Sequence, residues 1–295
     1  DHTAYTPALE RLAREGAVFT RAQVTAATCA PSRASLFTGL YPHQHGVFGF
    51  SHVDGFHLRP GVPNYVRLLH DAGYRTGITY KTGLTDLGEL PFDSAFSPTI
   101  EGAMGRMEVS RCLDHLAEFL RTQPKDRPFY FQAQTSDTHT PWDNDDRRNS
   151  IRPGSHGWPY PPIDPARIPV EPHYGPGFEF NDRIRQHFQE YYGSVQRADF
   201  FVGAVLDLLR EHGVDQNTLV VFSADHGPSH NLRGKGYPYE ISLRVPFIVR
   251  WPGVVSPGKR TDALVSFVDL LPTFLEAAGI DVPGYAPGQS LVPML

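Results

Sequence analysis

The chain has 295 residues, of which 40% are hydrophobic and 20% are charged, and its formal net charge at pH 7 is −5. This length supports a large core, and the acidic balance excludes the basic footprint typical of nucleic-acid-binding proteins. The sequence has no apolar run long enough to span a membrane and no signal-peptide pattern in its first residues, and its two cysteines, Cys29 and Cys112, are too few for a disulfide scaffold.

Helices and strands are predicted to alternate along the chain. Thr6 as a cap, Pro7 at the first helical position and Gly16 at the end predict a short helix, and a strand at 17–20 follows it. The further predicted elements are, in chain order, a helix at 62–73, a strand at 76–80, a helix at 107–121, a strand at 128–133, a helix at 186–212 and strands at 218–223 and 245–250. Short apolar strands separated by helices predict an α/β fold whose mostly parallel central sheet is covered by helices on both faces.

Residues 28–39 are predicted to form a turn that leads into a helix. Pro31 suits an early helical position because it has no N–H to lose, and Gly39 is placed to end the helix. A helix start gathers unpaired N–H groups that attract anions, and Arg33 adds a guanidinium whose donors match a tetrahedral oxyanion. A sulfur nucleophile at Cys29, or a derivative of it, would therefore face a bound sulfate or phosphate. The alternative is a buried thiol that precedes an ordinary helix.

Three of the predicted strands are each followed by polar residues, namely Lys81, His139 and the pair Asp225 and His226. Because ligands of parallel α/β sheets bind beyond the carboxyl ends of the strands, we expect these side chains to share one edge with Cys29. The carboxylate of Asp225 and the imidazole of His226 are candidate metal ligands. The alternative for this pair is a turn with an aspartate cap and a solvated histidine.

The segment Cys29-Ala30-Pro31-Ser32-Arg33 resembles the C-x-P-S-R signature of the sulfatase family, which belongs to the alkaline phosphatase superfamily. Residues 234–240 are similar to that family's G-K-G-x-x-Y-E segment, and residues 41–46 are similar to its Y-P-H-x-H-G segment. The segments most similar to the sulfamidase (N-sulfoglucosamine sulfohydrolase) branch are 39–57, 120–129 and 266–273. The resemblance covers residues 1–295 and implies an N-terminal catalytic domain that lacks the first strand and the C-terminal subdomain.

In the sulfatase family, a separate formylglycine-generating enzyme oxidises the signature cysteine to formylglycine, whose hydrated aldehyde is the nucleophile. The resemblance implies a sulfuric ester or sulfamate hydrolase that releases inorganic sulfate from a sulfated sugar or glycosaminoglycan. It implies catalytic roles for Cys29, Arg33, Lys81, His139 and Lys235. For Lys235, which lies between two glycines, the alternative is a solvated loop lysine.

The resemblance also implies one divalent metal ion, with Asp1, Cys29, Asp225 and His226 as its ligands. Ca²⁺ is the expected ion, and Mn²⁺ and Mg²⁺ are the alternatives. Members of the family commonly carry Asp-Asn where this chain has Asp225 and His226, and an imidazole suits Ca²⁺ less well than Mn²⁺. A second departure is Gly83, which occupies the place of a family histidine two residues after the lysine.

Two other functions stay open on the sequence alone. A phosphodiesterase or phosphonate monoester hydrolase would use the same constellation, and the Asp225-His226 pair is compatible with it. The second alternative is a catalytically inactive, glycan-binding relative, which the loss of the family histidine at Gly83 would fit. The family resemblance implies an exported (periplasmic or extracellular) or lysosomal location, and the oligomeric state is left open.

Two histidines and one tyrosine have interpretations that do not involve the reaction. His43 and His45 are interpreted as pocket-wall or structural residues. Tyr160 lies in a Pro-rich insertion, where it could stack on a sugar face or pin the loop.

Overall fold

A computed structural model of the chain describes residues 3–50, 55–79, 82, 84, 90–96, 109–140, 142, 160–169, 181–228 and 234–295. Its helices are α1 Pro7–Glu15, α2 Cys29–Thr38, α3 Pro42–His45, α4 Tyr65–Asp71, α5 Val109–Arg121, α6 Asp182–Glu211, α7 Glu240–Leu243 and α8 Leu270–Ala277. Its strands are β1 Ala17–Gln23, β2 Arg75–Thr79, β3 Ser94–Phe96, β4 Phe129–Gln132, β5 Val220–Ser223, β6 Phe247–Arg250 and β7 Lys259–Ser266. Within these described ranges, no helix is both long enough and apolar enough to cross a membrane.

Among the residues that the structure describes, the strands form two sheets. In the first, the order is β5-β6-β1-β7, and β1 is parallel to β7 whereas β6 is antiparallel to β1 and β5. The second sheet has the order β3-β2-β4 and is parallel throughout. The predicted α/β fold with mostly parallel strands is therefore confirmed, and β6 is the strand that runs against the others.

Helices cover both faces of these sheets. Successive side chains of a strand point to opposite faces of the sheet, so neighbouring residues of a strand pack against different helices. On β1, Phe19 packs in a cluster that includes α8, whereas Val18 packs in a cluster with α1 and α6. On β4, Tyr130 packs with α4 and α8, whereas Phe131 packs with α5 and α6. Because α6 packs against both sheets, it helps to align the strand ends on which the candidate site depends.

Helix α2 begins at Cys29 itself. Thr28 takes an extended N-cap conformation with φ −140° and ψ 152°. Pro31 is the third helical residue, where an N–H would have no intrahelical partner. Gly39 ends the helix at φ 65°, and a Cβ there would lie 2.6 Å from the side chain of Leu271. The predicted turn, helix and glycine stop are thus present, and they place the thiol in the first turn of the helix.

His45, the last residue of α3, packs against helix α2. The residue is fully buried, with 0% of its surface exposed. Its Nδ1 accepts the Val47 N–H at 3.1 Å, so its Nε2–H donates to the Ser35 hydroxyl at 3.0 Å. Burial, together with the nearby charges of Arg59 and His43, lowers the pKa of His45 to about 4. These contacts support the structural interpretation of this histidine.

We expect His45 to make the fold less stable in acid. Between pH 6.5 and about 4, the unfolded chain binds a proton at this residue while the folded chain does not. The free energy of unfolding therefore falls, by about 1.4 kcal/mol per pH unit at the steepest. Urea denaturation at about pH 7.5 and about pH 5 should show a drop that is roughly 2 kcal/mol larger in the wild type than in His45→Gln. His43→Gln removes only the smallest of the three causes of the lowered pKa and should keep most of the wild-type pH dependence. The wild-type pH dependence in His45→Gln would contradict this assignment.

Asp199 of α6 caps helix α1 from a distant point in the sequence. Its carboxylate accepts the N–H of Ala8 at 3.1 Å, the N–H of Leu9 at 2.7 Å and the hydroxyl of Tyr160 at 2.8 Å. Thr6 occupies the N-cap position as predicted, but its side chain makes no capping hydrogen bond. Burial raises the pKa of Asp199 although these three donors favour its ionised form. Of the two interpretations of Tyr160, this contact supports the one in which it pins its loop.

Replacing Asp199 by alanine should destabilise the fold by about 2 kcal/mol, because it removes a helix cap and leaves a partly buried hydroxyl without its acceptor. Thermal and urea unfolding measure the effect. Asp207→Ala is the matched control: Asp207 also joins α6 to α1, through Arg11 at 3.2 Å, but its side chain is 51% exposed. We expect that control to change stability by less than about 1 kcal/mol, and equal losses in the two variants would contradict the cap.

Candidate active site

The thiol of Cys29 lies at the meeting point of three chain segments. Cys29 is 4% exposed. Its Sγ is 3.2 Å from His226 Nε2 and 3.1 Å from Lys235 Nζ. His226 follows the carboxyl end of β5, and Lys235 lies in the loop that precedes α7. The structure therefore brings together three of the residues that the sequence singled out.

Arg33 lies one helical turn after Cys29 and is 8% exposed. Its Nε donates to Asp225 Oδ2 at 2.8 Å, and its Nη1 donates to Gln134 Oε1. The hydroxyl of Ser32 donates to the backbone oxygen of Asp225 at 2.5 Å. Helix α2 is thus joined to the residues that follow β5 and to Gln134, two residues after β4, so the guanidinium and the thiol lie at a common sheet edge.

Backbone contacts hold the two loops of the site. The N–H of Gly236 donates to the carbonyl of Ala27 at 2.8 Å, with Gly236 at φ 94°, so the lysine loop is fixed to the residues just before α2. The N–H of Gly227 donates to the carbonyl of Ser242 at 2.7 Å. A Cβ at position 227 would lie 1.8 Å from the backbone oxygen of Ile241, so only glycine fits there. The sequence drew attention to the glycines on both sides of Lys235 but assigned no role to Gly227.

His226 is oriented by its own backbone. Its Nδ1–H donates to the carbonyl of Gly227 at 2.7 Å, so Nε2 is the ring nitrogen that faces the sulfur of Cys29. Burial lowers the pKa of His226, but the hydrogen bond with Cys29 and the charge of Asp225 outweigh it, and the net pKa is raised. This arrangement suits a histidine that presents Nε2 to an anion or a metal ion, since ligating histidines commonly donate their other N–H to a carbonyl.

Cys29, Asp225 and His226 each offer one ligand atom, and these atoms all lie within 4.8 Å of one another. The Oδ1 of Asp225 is 3.7 Å from His226 Nε2, while its Oδ2 accepts from Arg33. A carboxylate and an oriented imidazole fit a divalent metal ion. A thiolate as third ligand would favour a softer ion, whereas an oxygen at residue 29 would suit Ca²⁺, Mg²⁺ or Mn²⁺. The predicted fourth ligand, Asp1, lies outside the described residues.

His139 lies in the loop that follows β4. Its Nδ1–H donates to the carbonyl of Thr140 at 2.6 Å, and its backbone N–H donates to the carbonyl of Ser136 at 2.7 Å. The loop is anchored by Asp137, which pairs with Arg197 of α6 at 2.9 Å, with side chains 6% and 1% exposed. A buried pair of this kind fixes the loop at the same sheet edge as Gln134. The role of His139 at the leaving group stays a prediction.

Lys81 and Gly83 lie outside the described residues, so their predicted place at the site stays a prediction. Two residues of the site were not predicted. Ser32 and Gln134 contact Asp225 and Arg33, respectively. Gln134 could have been predicted, because it directly follows the strand predicted at 128–133. Ligands of parallel sheets bind beyond the carboxyl ends of the strands, and this applies to Gln134 as it does to His139.

A family model described as Sulfatase matches residues 1–280. The chain belongs to the sulfatase family. Among curated relatives, it is 32% identical over 326 residues to the N-sulphoglucosamine sulphohydrolase of Homo sapiens, which covers 98% of this chain and 61% of that enzyme. It is 30% identical over 295 residues to an ulvan-active sulfatase of Formosa agariphila, which covers 99% of this chain and 53% of that protein. The chain thus spans a little more than half the length of these relatives, and the predicted likeness to the sulfamidase branch is confirmed.

Solved structures agree with the fold. A 2-O GAG sulfatase superposes with a TM-score of 0.76 at 25% identity, over 98% of this chain and 68% of that one. The phosphonate monoester hydrolase of Silicibacter pomeroyi also gives a TM-score of 0.76, over 100% of this chain and 72% of that one. Because its identity is 24%, this second likeness shows the shared fold alone.

Proposed function

We propose that this chain hydrolyses a sulfuric ester or a sulfamate and releases inorganic sulfate, through a formylglycine made from Cys29. One observation carries the proposal. The Sγ of Cys29 lies 3.1 Å from Lys235 Nζ and 3.2 Å from His226 Nε2, in the first turn of a helix whose next turn presents Arg33. A tetrahedral oxyanion docked against residue 29 would meet an ammonium, a guanidinium and the start of a helix, which together favour its negative charge.

Each residue has a role that its chemistry permits. The hydrated aldehyde at residue 29 supplies the hydroxyl that attacks sulfur in line while the bond from sulfur to the leaving oxygen or nitrogen breaks. The second hydroxyl of the hydrate then loses its proton, the C–O bond to the sulfate group breaks, and inorganic sulfate leaves as the aldehyde re-forms. Arg33, Lys235 and Lys81 bind the sulfate oxygens and offset the charge that shifts in the transition state. His139 or Lys235 gives a proton to the departing oxygen or nitrogen. The conversion of Cys29 requires a formylglycine-generating enzyme as a partner during maturation.

A divalent metal ion is proposed at the same place, held by Asp225, His226, residue 29 and Asp1. Such an ion would offset negative charge on the oxyanion and favour the ionised form of the nucleophilic hydroxyl. Ca²⁺ is the proposed ion, with Mn²⁺ and Mg²⁺ as alternatives. His226 makes the Mn²⁺ alternative chemically credible, because imidazole binds that ion better than it binds Ca²⁺.

A sulfated sugar or glycosaminoglycan is the proposed substrate class. The family relatives named for N-sulphoglucosamine and ulvan support it. A relative named as an extracellular sulfatase homologue, from Drosophila melanogaster, supports an exported location, and a lysosomal one remains the alternative.

Paired rate measurements test this function. The chain should be produced together with a formylglycine-generating enzyme and assayed with para-nitrophenyl sulfate, N-sulfoglucosamine and bis(para-nitrophenyl) phosphate. We expect kcat/KM for a sulfate ester or the sulfamate to exceed that for the phosphodiester. The second candidate, a phosphodiester or phosphonate monoester hydrolase, is favoured by the Asp225-His226 pair and predicts the reverse order. Glycan binding without turnover of any of the three would support an inactive relative and contradict both hydrolases.

A further inference from the structure

Gln134 connects the end of β4 to the guanidinium of Arg33. Its Oε1 accepts from Arg33 Nη1, while Asp225 Oδ2 accepts from Arg33 Nε at 2.8 Å. The guanidinium is therefore held by two hydrogen-bond acceptors, one after β5 and the other after β4. One acceptor is a carboxylate and the other is a neutral amide. An arginine held in this way cannot rotate about its long side chain without losing a charged hydrogen bond.

The backbone of Gln134 is itself fixed. The N–H of Gln134 donates to the Thr79 hydroxyl at 2.8 Å, and that hydroxyl donates to the carbonyl of Gln134 at 3.2 Å. Thr79 is the last residue of β2 and is 0% exposed. The neighbouring strands are in parallel register, with Ile78 opposite Gln132, so the threonine lies beside the first residues after β4. The position of the Gln134 amide is thus set by the sheet and not by a mobile loop.

The amide of Gln134 makes the fold less stable than an apolar side chain of similar length would. The Nε2 of Gln134 is buried and has no hydrogen-bond partner in the part of the chain that the structure describes. A buried, unsatisfied donor costs about 1–3 kcal/mol, which an apolar side chain of similar length would avoid. A glutamate would satisfy Arg33 more strongly, but it would place a second carboxylate beside the one from Asp225 and neutralise the cation.

We propose that Gln134 is a positioning residue of the anion site, which fixes the plane of the Arg33 guanidinium without cancelling its charge. The proposal rests on the proposed function, in which Arg33 binds the sulfate group. With a neutral acceptor at position 134, the described part of the site has two cations, Arg33 and Lys235, against the carboxylate of Asp225, and a net positive charge faces the bound oxyanion. The sequence of the chain therefore carries a selectivity element for anionic groups outside its signature motif.

The test compares Gln134→Glu with Gln134→Met, because the first keeps the acceptor but adds a negative charge and the second removes the acceptor at similar volume. Inorganic sulfate is the probe, titrated by calorimetry against the unconverted full chain, so that no turnover is needed. We expect Gln134→Glu to raise the Kd for sulfate about tenfold or more, and Gln134→Met to raise it about threefold. Gln216→Glu adds the same charge at an exposed position and should leave the Kd unchanged.

A role in packing alone predicts a different result. In that case Gln134→Met, which keeps the volume and removes the unsatisfied donor, would bind sulfate as the wild type does, and any change in Kd would follow a change in Tm. Wild-type affinity in Gln134→Glu, equal losses in the two variants, or an absence of sulfate binding by the wild type would each overturn the proposal. Failure of the proposed function is a separate result, since it would show as a lack of sulfate ester or sulfamate turnover by the converted wild type.

Discussion

Replacement of Cys29 by alanine is expected to reduce the turnover of sulfate esters by at least about 10⁴-fold, because the variant can form neither the thiol nor the aldehyde that supplies the nucleophile. The fold should persist. The residue is 4% exposed and lies in the first turn of α2, so loss of one sulfur atom costs about 1 kcal/mol and a few degrees in Tm. Steady-state rates with para-nitrophenyl sulfate and thermal unfolding measure the two effects.

Cys112 offers a matched control. It is 0% exposed and packs with Val109 and Phe201 between α5 and α6, away from the contacts of Cys29. Cys112→Ala should lower Tm through the cavity that it leaves, but it should keep the wild-type kcat. The two cysteine variants therefore separate stability from chemistry. Wild-type rates in Cys29→Ala would exclude a covalent route through residue 29.

Replacement of Arg33 by lysine is expected to lower kcat/KM for sulfate esters by about 100-fold or more, although the charge is kept. A lysine ammonium is a point charge and cannot reach Asp225 and Gln134 at once as the guanidinium does. The variant thus loses the fixed pair of donors that matches an oxyanion. The kinetic constants for the sulfate ester and the Kd for inorganic sulfate should change together.

Arg250 provides the control for this substitution. It is also 8% exposed, and its guanidinium also joins two segments, through Glu15 at 2.7 Å and the carbonyl of Asp215 at 3.1 Å. Arg250→Lys should destabilise the fold to a similar extent but leave kcat/KM unchanged. If both arginine variants lose activity in proportion to their loss of stability, Arg33 has no special part in binding the anion.

The elements that the sequence predicted well are those with strong local signals. The proline and glycine around α1 and α2 fix where those helices begin and end, and apolar runs fix β4 and β5. Strand β7 was missed because its exposed and partly buried positions alternate, and its side chain at Leu264 is 63% exposed. β3 was missed because it has three residues, which are too few to show a period.

Strand direction could not be derived from apolar runs. β6 was predicted as a strand of a mostly parallel sheet, yet it is antiparallel to β1 and β5. A parallel crossover needs about a dozen residues or more, and residues 251–258 between β6 and β7 are fewer than that. The chain therefore returns in the opposite direction on the far side of β1. The connection length was present in the sequence, but it becomes informative only when the position of β7 is known.

The candidate site also contains residues that the sequence predicted and a contact that it did not predict. The signature motif and the strand-end rule led to Cys29, Arg33, Asp225 and His226, which the structure links through the Cys29–His226 and Arg33–Asp225 contacts. The link between Arg33 and Gln134 joins residues that are 101 positions apart, and it depends on the register of β2 with β4 and on how α2 lies across them. Pairwise contacts of this kind arise from packing and leave no local pattern in the sequence.

Mass spectrometry of the tryptic peptide 22–33 tests the central claim most directly, when it is done on chain that has been produced with a formylglycine-generating enzyme and shown to hydrolyse a sulfate ester. We predict that the active protein carries an aldehyde in place of the thiol at residue 29, and that the rate rises in proportion to the converted fraction. Full activity in protein whose residue 29 is entirely an unmodified cysteine would contradict the account.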